Sequence, residues 1–155
     1  MKIEAVLFDF SGVVANVRPT FIGDGHSEGD HFVFVANDQV VSSIQRLRSA
    51  GLQTGLVTNN ERSLLSAMNV AIETDQHFDS VVFPDDCGAA KPSSRIFQYA
   101  AQQLGVLPEK CAFVDDVARN VDAAESIGMT GHVYDGIDRF TAFVEELLQP
   151  KRTNP

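Results

Sequence analysis

The run from Ile3 to Val14 constrains this chain more than any other stretch. Ile3, Ala5, Val6, Leu7 and Phe8 are nearly continuous apolar residues, the pattern of a strand buried on both faces. The run stops at Asp9, and Gly12 then lets the backbone bend sharply within Phe10-Ser11-Gly12-Val13-Val14. Ligands of open α/β sheets bind beyond the carboxyl ends of the strands, so a carboxylate there sits where chemistry is expected if the strand is central. Taken alone, Asp9 reads as the start of a turn. The rest of the chain changes that reading.

From Asn37 onward, strands and helices alternate. Asn37 or Asp38 caps a helix with Val40, Val41, Ile44 and Leu47 on one face, and Gly51 stops it. Leu52 to Val57 reads as a strand ending in Thr58-Asn59-Asn60, followed by a helix bearing Leu64, Leu65, Met68 and Ile72. Ser80-Val81-Val82-Phe83 is a third strand, broken by Pro84, Asp85 and Asp86. Lys91-Pro92-Ser93-Ser94 opens a helix carrying Ile96, Phe97, Ala100 and Leu104, which Gly105 terminates. Cys111 to Val114 is a strand ending at Asp115-Asp116, and a helix with Val121, Ala124 and Ile127 ends at Gly128. His132-Val133-Tyr134 and a last helix through Phe140, Phe143, Val144, Leu147 and Leu148 complete the pattern. Such alternation implies an α/β fold, a three-layer Rossmann-like parallel sheet with helices on both faces. Residues 1–149 read as a single domain, with 15–37 as a hairpin or flap inserted in it and 150–155 as a tail. The hairpin's arms are expected at Thr20-Phe21-Ile22 and His31 to Val35. Asp24, His26, Asp30 and His31 at its tip match no metal-ligand spacing and read as a solvated loop.

Composition narrows the function classes. A net charge of −9, with no basic block beyond Lys151-Arg152, argues against binding to a nucleic-acid backbone. Cys87 and Cys111 are too few for a disulfide framework and lack metal-ligand spacing. Nothing resembles a signal peptide or a membrane span, so a reduced, cytoplasmic protein without membrane contact is the expectation.

A parallel sheet of this kind gathers Asp9, Thr58-Asn59, Lys91 and Asp115-Asp116 at one edge. Three clustered carboxylates repel one another unless a divalent cation holds them, and hard oxygen ligands suit Mg²⁺. Lys91 and the Thr58 hydroxyl could then hold the outer oxygens of a phosphoryl group.

That ordered set resembles the haloacid dehalogenase (HAD) superfamily of phosphohydrolases over nearly the whole chain. The family's first-strand pattern Asp-x-Asp-x-(Thr/Val) is matched by Asp9-Phe10-Ser11-Gly12-Val13, and its second-strand Thr or Ser by Thr58. Its lysine is matched by Lys91-Pro92-Ser93 and its acidic block by Asp115-Asp116-Val117-Ala118-Arg119-Asn120. The continuation through Val121, Ala123, Ala124, Gly128 and Met129 is similar to the branch containing the N-terminal phosphatase domain of soluble epoxide hydrolase. The resemblance implies Asp9 as a nucleophile forming an aspartyl-phosphate. It implies Thr58 and the Asn59 N–H as phosphoryl ligands, with Lys91 neutralising charge on nucleophile and phosphate. It further implies Mg²⁺ held by Asp9, Asp116 and the backbone carbonyl of Ser11, with Asp115 ligating directly or through water and Asn120 orienting the acidic pair.

Two departures qualify that implication. The family's second Asp, its general acid and base, is Ser11 here, and a serine supplies no proton near neutral pH. The helical cap of related enzymes is also missing, with only the 15–37 hairpin in its place. Either the substrate is large, or a partner or second copy of the chain covers the site, or closure is lost. The leading expectation is a capless Mg²⁺-dependent phosphatase acting on a phosphorylated small molecule or macromolecule. The first alternative is a catalytically impaired member that binds a phosphorylated ligand or a protein partner, and the second is a hydrolytic dehalogenase.

Overall fold

The computed structural model of the chain describes residues 2–20 and 32–150. Strand β1 (Ala5–Phe8) is buried along its whole length, as its unbroken apolar sequence requires. It lies at the centre of a five-stranded sheet with β4 (Gln53–Val57), β5 (Ser80–Val82), β6 (Cys111–Asp115) and β7 (Thr130–Val133). The order is β5-β4-β1-β6-β7, and every pairing is parallel. Phe8 stands opposite Leu56 on one side and Val114 on the other, so the three central strands end level.

Successive residues of β1 point to opposite faces and feed two separate cores. Val6 and Phe8, with Ala112, Val114 and Leu56, pack against α1 (Asp38–Ser49), α2 (Leu65–Ala71) and α7 (Ile137–Leu148) through Val40, Ile44, Leu47, Met68, Phe140 and Val144. Ala5 and Leu7, with Cys111 and Phe113, pack against α5 (Ser94–Leu104) and α6 (Ala118–Glu125) through Ile96, Phe97, Ala100, Leu104, Val121 and Ala124. Phe97 meets Phe113 edge-on, ring centroids 4.8 Å apart. Burying each such ring stabilises the fold by ~1.5–3 kcal/mol, which makes the sheet a stiff platform for its carboxyl edge. Asn37 caps α1 with its side chain on the Val40 N–H, and Gly105 ends α5 in the left-handed region at φ 66°.

Several boundaries differ from the sequence-based expectation. The described first arm of the hairpin is β2 (Ala15–Pro19), a stretch the sequence reading did not assign to a strand, and it pairs antiparallel with β3 (Phe32–Ala36) from Ala15↔Ala36 to Pro19↔Phe32; Phe21 and Ile22 of the expected arm, and His31 of the other, lie outside the described residues. That register sets Phe34 opposite Val17 on the neighbouring strand, and Phe34 packs against Phe10, centroids 5.0 Å apart, which anchors the arm on the core. The tip residues Asp24, His26, Asp30 and His31 and the Lys151-Arg152 tail lie outside the described residues. The segment read as one helix around Leu64 to Ile72 is a 3₁₀ turn (Arg62–Leu64) running into α2, and Ile72 lies past its end. Two one-turn helices, α3 (Thr74–His77) and α4 (Pro84–Cys87), stand where connections were expected. Pro84 opens α4 at its first position, where the missing N–H costs nothing. Tyr134 lies just beyond β7, and Ile127 falls in the turn after α6. No helix among the described residues is long and apolar enough to cross a membrane.

Candidate active site

The carboxyl edge of β1, β4 and β6 brings the sequence-predicted residues together. Asp9 follows β1 directly and donates its backbone N–H to Val114 O at 2.9 Å, so the neighbouring strand fixes its height. Asp115 is the last residue of β6 and is fully buried. Lys91, only 6% exposed, reaches in from the α4–α5 connection and its Nζ donates to Asp9 Oδ1 (2.6 Å) and Asp115 Oδ2 (2.8 Å). Asp9, Asp115 and Asp116 each offer a carboxylate oxygen within 4.8 Å of the others.

The three carboxylates are not equivalent. Asp115 is spoken for on both oxygens: Oδ1 accepts from Val117 N (2.9 Å), and Oδ2 accepts from Lys91 Nζ and from buried Asn120 Nδ2 (3.0 Å). Asp116 is exposed at the mouth. Gly12, at φ 91°, passes so close to it that an added Cβ would stand 2.9 Å from Asp116 Cγ. Only a glycine fits there on both counts, steric and conformational. Burial pushes the Asp9 carboxyl up to about 7; Lys91 pulls it back down, and the charge of Asp115 adds to the rise. Burial likewise raises Asp116. Carboxylates crowded beyond what one lysine can neutralise, with oxygens left over on Asp9 and Asp116, fit a small hard cation.

Thr58 follows β4, is buried, and accepts the Asn60 backbone N–H on Oγ1 at 3.0 Å. The Asn59 side chain grips the Lys91 backbone twice: Nδ2 donates to Lys91 O (3.0 Å), and Lys91 N donates to Oδ1 (2.8 Å). This double bond ties the β4 loop to the lysine loop. Ser11 sits half-buried beyond Asp9, and Asn60 Nδ2 donates to its Oγ at 3.3 Å. Arg62 pairs with Asp85 at 3.1 Å and with Asp86, and lies over the Phe83 ring, which braces the same loop from behind. Tyr134 donates its N–H to Asp115 O (2.8 Å) and accepts Asn37 Nδ2 on its hydroxyl (3.0 Å), linking β6 to the base of the hairpin.

The sequence reading did not assign Asn60, Arg62 or Tyr134 to this edge. It gave Asn59 a role through its N–H alone. The signal available was the Asn59-Asn60 doublet directly after a strand, two side chains able to bond neighbouring backbone in a connection.

A family model described as haloacid dehalogenase-like hydrolase matches residues 24–128. The chain belongs to that family. Acyl-CoA dehydrogenase family member 10 of Mus musculus is 32% identical over 153 residues, covering 93% of this chain but 13% of that protein. Phosphatase MT3486 of Mycobacterium tuberculosis is 36% identical over 95 residues, covering 60% of this chain and 43% of its own length. This HAD-like chain thus spans less than half the length of these curated relatives. Among solved structures, a HAD family enzyme of Bacteroides thetaiotaomicron in complex with magnesium and inorganic phosphate superposes with a TM-score of 0.68. It is 16% identical, with 84% of this chain and 93% of that chain covered. At that identity the likeness concerns the fold.

Proposed function

We propose that this HAD-like chain is a Mg²⁺-dependent phosphohydrolase in which Asp9 is the nucleophile. The observation that carries the reading is the buried Lys91 ammonium shared between Asp9 and Asp115, with Asp116 alongside. A dehalogenase has no need of an acidic pair poised for a cation. A relative named as a phosphatase and a neighbour solved with magnesium and phosphate support the same reading.

Asp9 attacks the phosphorus through the oxygen that Lys91 leaves free, forming an aspartyl-phosphate as the ester P–O bond breaks. Lys91 holds the other oxygen and neutralises charge as the phosphoryl group arrives. The Thr58 hydroxyl, with its acceptor side turned to the Asn60 N–H, has its proton available for a phosphoryl oxygen, and the Asn59 N–H lies next to it in the chain. Mg²⁺ would be held by Asp9, Asp116 and the carbonyl of Ser11, with Asp115, already hydrogen-bonded on both oxygens, reaching it through water. Bound there, it supplies charge neutralisation and keeps the nearby carboxyls ionised. Asn120 and Val117 N hold Asp115 in place for that arrangement. The substrate class is a phosphorylated small molecule or macromolecule. Asp116, Asn59 and Val117 are exposed around the site, and such a mouth admits a large substrate or a second copy of the chain as its cover.

The competing reading, a member that binds phosphorylated ligands without turnover, rests on Ser11. Hydrolysis of p-nitrophenyl phosphate separates the two. Wild type should turn it over with Mg²⁺ and lose activity with EDTA, and Asp9→Asn should be inactive. Millimolar Mg²⁺ should raise the melting temperature of wild type but not of Asp116→Ala. An equal rise in both proteins would refute the metal assignment, and turnover unaffected by Asp9→Asn would refute the nucleophile.

A further inference from the structure

Most polar side chains at this edge are committed to one another. Lys91 serves Asp9 and Asp115, Asn120 serves Asp115, and Asn59 is spent on the Lys91 backbone. Ser11 and Asn60 hold one another at the outer side of this edge. Asn60 is fixed by its backbone N–H on Thr58 Oγ1, and its side chain crosses to Ser11, 49 residues away, bridging the loops that follow β1 and β4. A serine hydroxyl carries one proton and two acceptor sites. With one acceptor site occupied by Asn60 Nδ2, its proton is left to donate elsewhere. Thr58 is 1% exposed and Asp9 8%, whereas Ser11 and Asn60 are half-buried, so this pair forms the outer layer of the site.

In-line displacement places the departing oxygen opposite the attacking one, outward from the sheet. Building on the phosphohydrolase reading, we propose that Asn60 orients the Ser11 hydroxyl as a hydrogen-bond donor to the departing oxygen, so that this pair sets the preference among leaving groups. The bond from Asp9 Oδ to phosphorus forms, the ester P–O bond breaks, and its electron pair stays on the leaving oxygen. Ser11 donates a hydrogen bond to that oxygen without giving up its proton. A phenolate departs as it is. An alkoxide takes its proton from water in the open mouth, leaving hydroxide. A donor aimed at developing charge matters most where that charge is greatest, so alkyl esters depend on the pair more than aryl esters do. Ser11 contacts the reacting group, and Asn60 is a positioning residue acting through it.

The test compares kcat/KM for p-nitrophenyl phosphate and glycerol phosphate at saturating Mg²⁺ in wild type, Ser11→Ala, Asn60→Ala and the double variant. Asp9→Asn is the blank. The alkyl-to-aryl ratio should fall about tenfold in each single variant, less than the ~10²–10³ of a donor lost from a closed oxyanion hole because this site is open to water, and no further in the double. Asn60→Asp, near-isosteric and acceptor-only, should lower the ratio equally and serves if Asn60→Ala unfolds. Orthophosphate affinity of the alanine variants, measured by calorimetry, should hold within about twofold, as a general collapse of the site would not allow. An unchanged ratio in either single variant, or multiplicative losses in the double, would overturn the proposal while leaving the phosphohydrolase reading standing. Wild-type turnover no greater than Asp9→Asn on both esters would overturn that reading and the proposal with it.

Discussion

Replacing Lys91 by methionine tests the electrostatics of the site with little change of shape. The stem stays, the ammonium goes, and three carboxylates within 4.8 Å lose the cation that two of them share at 2.6 and 2.8 Å. The lysine side chain is 2% exposed and its partners 11% and 0%, so water cannot replace what is lost. Removing one partner from a buried ion pair costs ~3–5 kcal/mol, most of it the penalty of a stranded charge. Asp9 has an escape. Its carboxyl already sits at about 7, so near neutral pH it takes up a proton readily. That places the expected cost for Lys91→Met at the low end, about 3 kcal/mol, or roughly 6–12 °C in melting temperature for a chain of this size. Urea midpoints and thermal melts in EDTA measure it directly. Adding Asp9→Asn to Lys91→Met removes the cost of protonating Asp9 and its repulsion of Asp115, and should return at least ~1 kcal/mol, a coupling that a double-mutant cycle reads without assumptions about either single change. A Lys91→Met protein within ~0.5 kcal/mol of wild type, or a double variant no more stable than it, would refute the picture of a buried charge balance.

Gly12→Ala places a methyl against the Asp116 carboxylate at a positive φ, and should cost at least ~1 kcal/mol of stability while abolishing the Mg²⁺-dependent rise in melting temperature. Ser11→Asp introduces a carboxylic acid beside Asn60 and should raise turnover of alkyl phosphates by about tenfold or more at saturating Mg²⁺, with a smaller gain on aryl esters where attack is limiting; single-ester kinetics check both. His132 is stacked on Phe143, its Nε2 buried without a partner among the described residues; burial lowers its folded-state pKa, Arg139 lowers it further, and Asp135 and Glu146 act in the opposite sense. Its contribution is therefore complete above the ordinary imidazole value of 6.5 and is lost as pH falls below it, because only the unfolded chain protonates there; His132→Phe should flatten the acid side of a plot of melting temperature against pH.

The sheet was legible in the sequence because both-face burial writes continuous apolar runs, and β1, β4 and β6 carry them. The position of the site followed from polarity at the ends of those runs: a residue that stops a buried strand with a carboxylate has to satisfy that charge at the sheet's edge. The hairpin was harder to place. Val17, Phe32, Val33 and Val35 are all substantially exposed on both faces of the two-stranded ribbon, so no alternation marks an inner face, and the strand over Ala15–Pro19 carried no signal of its own. Short helices such as α4 were hidden because one turn is too little for a period to show, and only the Pro84 start signal survives. The parts of the site that escaped the sequence are those made by distance. Nothing local to Asn59 says that its amide will close on a backbone 32 residues later, or that Asn60 will reach back 49 residues to Ser11. Yet these two amides decide how the edge is used. Asn59 fixes the backbone of the lysine that serves the carboxylates, and Asn60 holds the half-buried Ser11 hydroxyl. The Asn-Asn doublet thus ties both the lysine loop and the loop after β1 to the end of β4, and on the phosphohydrolase reading Asn59→Ala should weaken orthophosphate binding whereas Asn60→Ala should change the alkyl-to-aryl ratio with little effect on it.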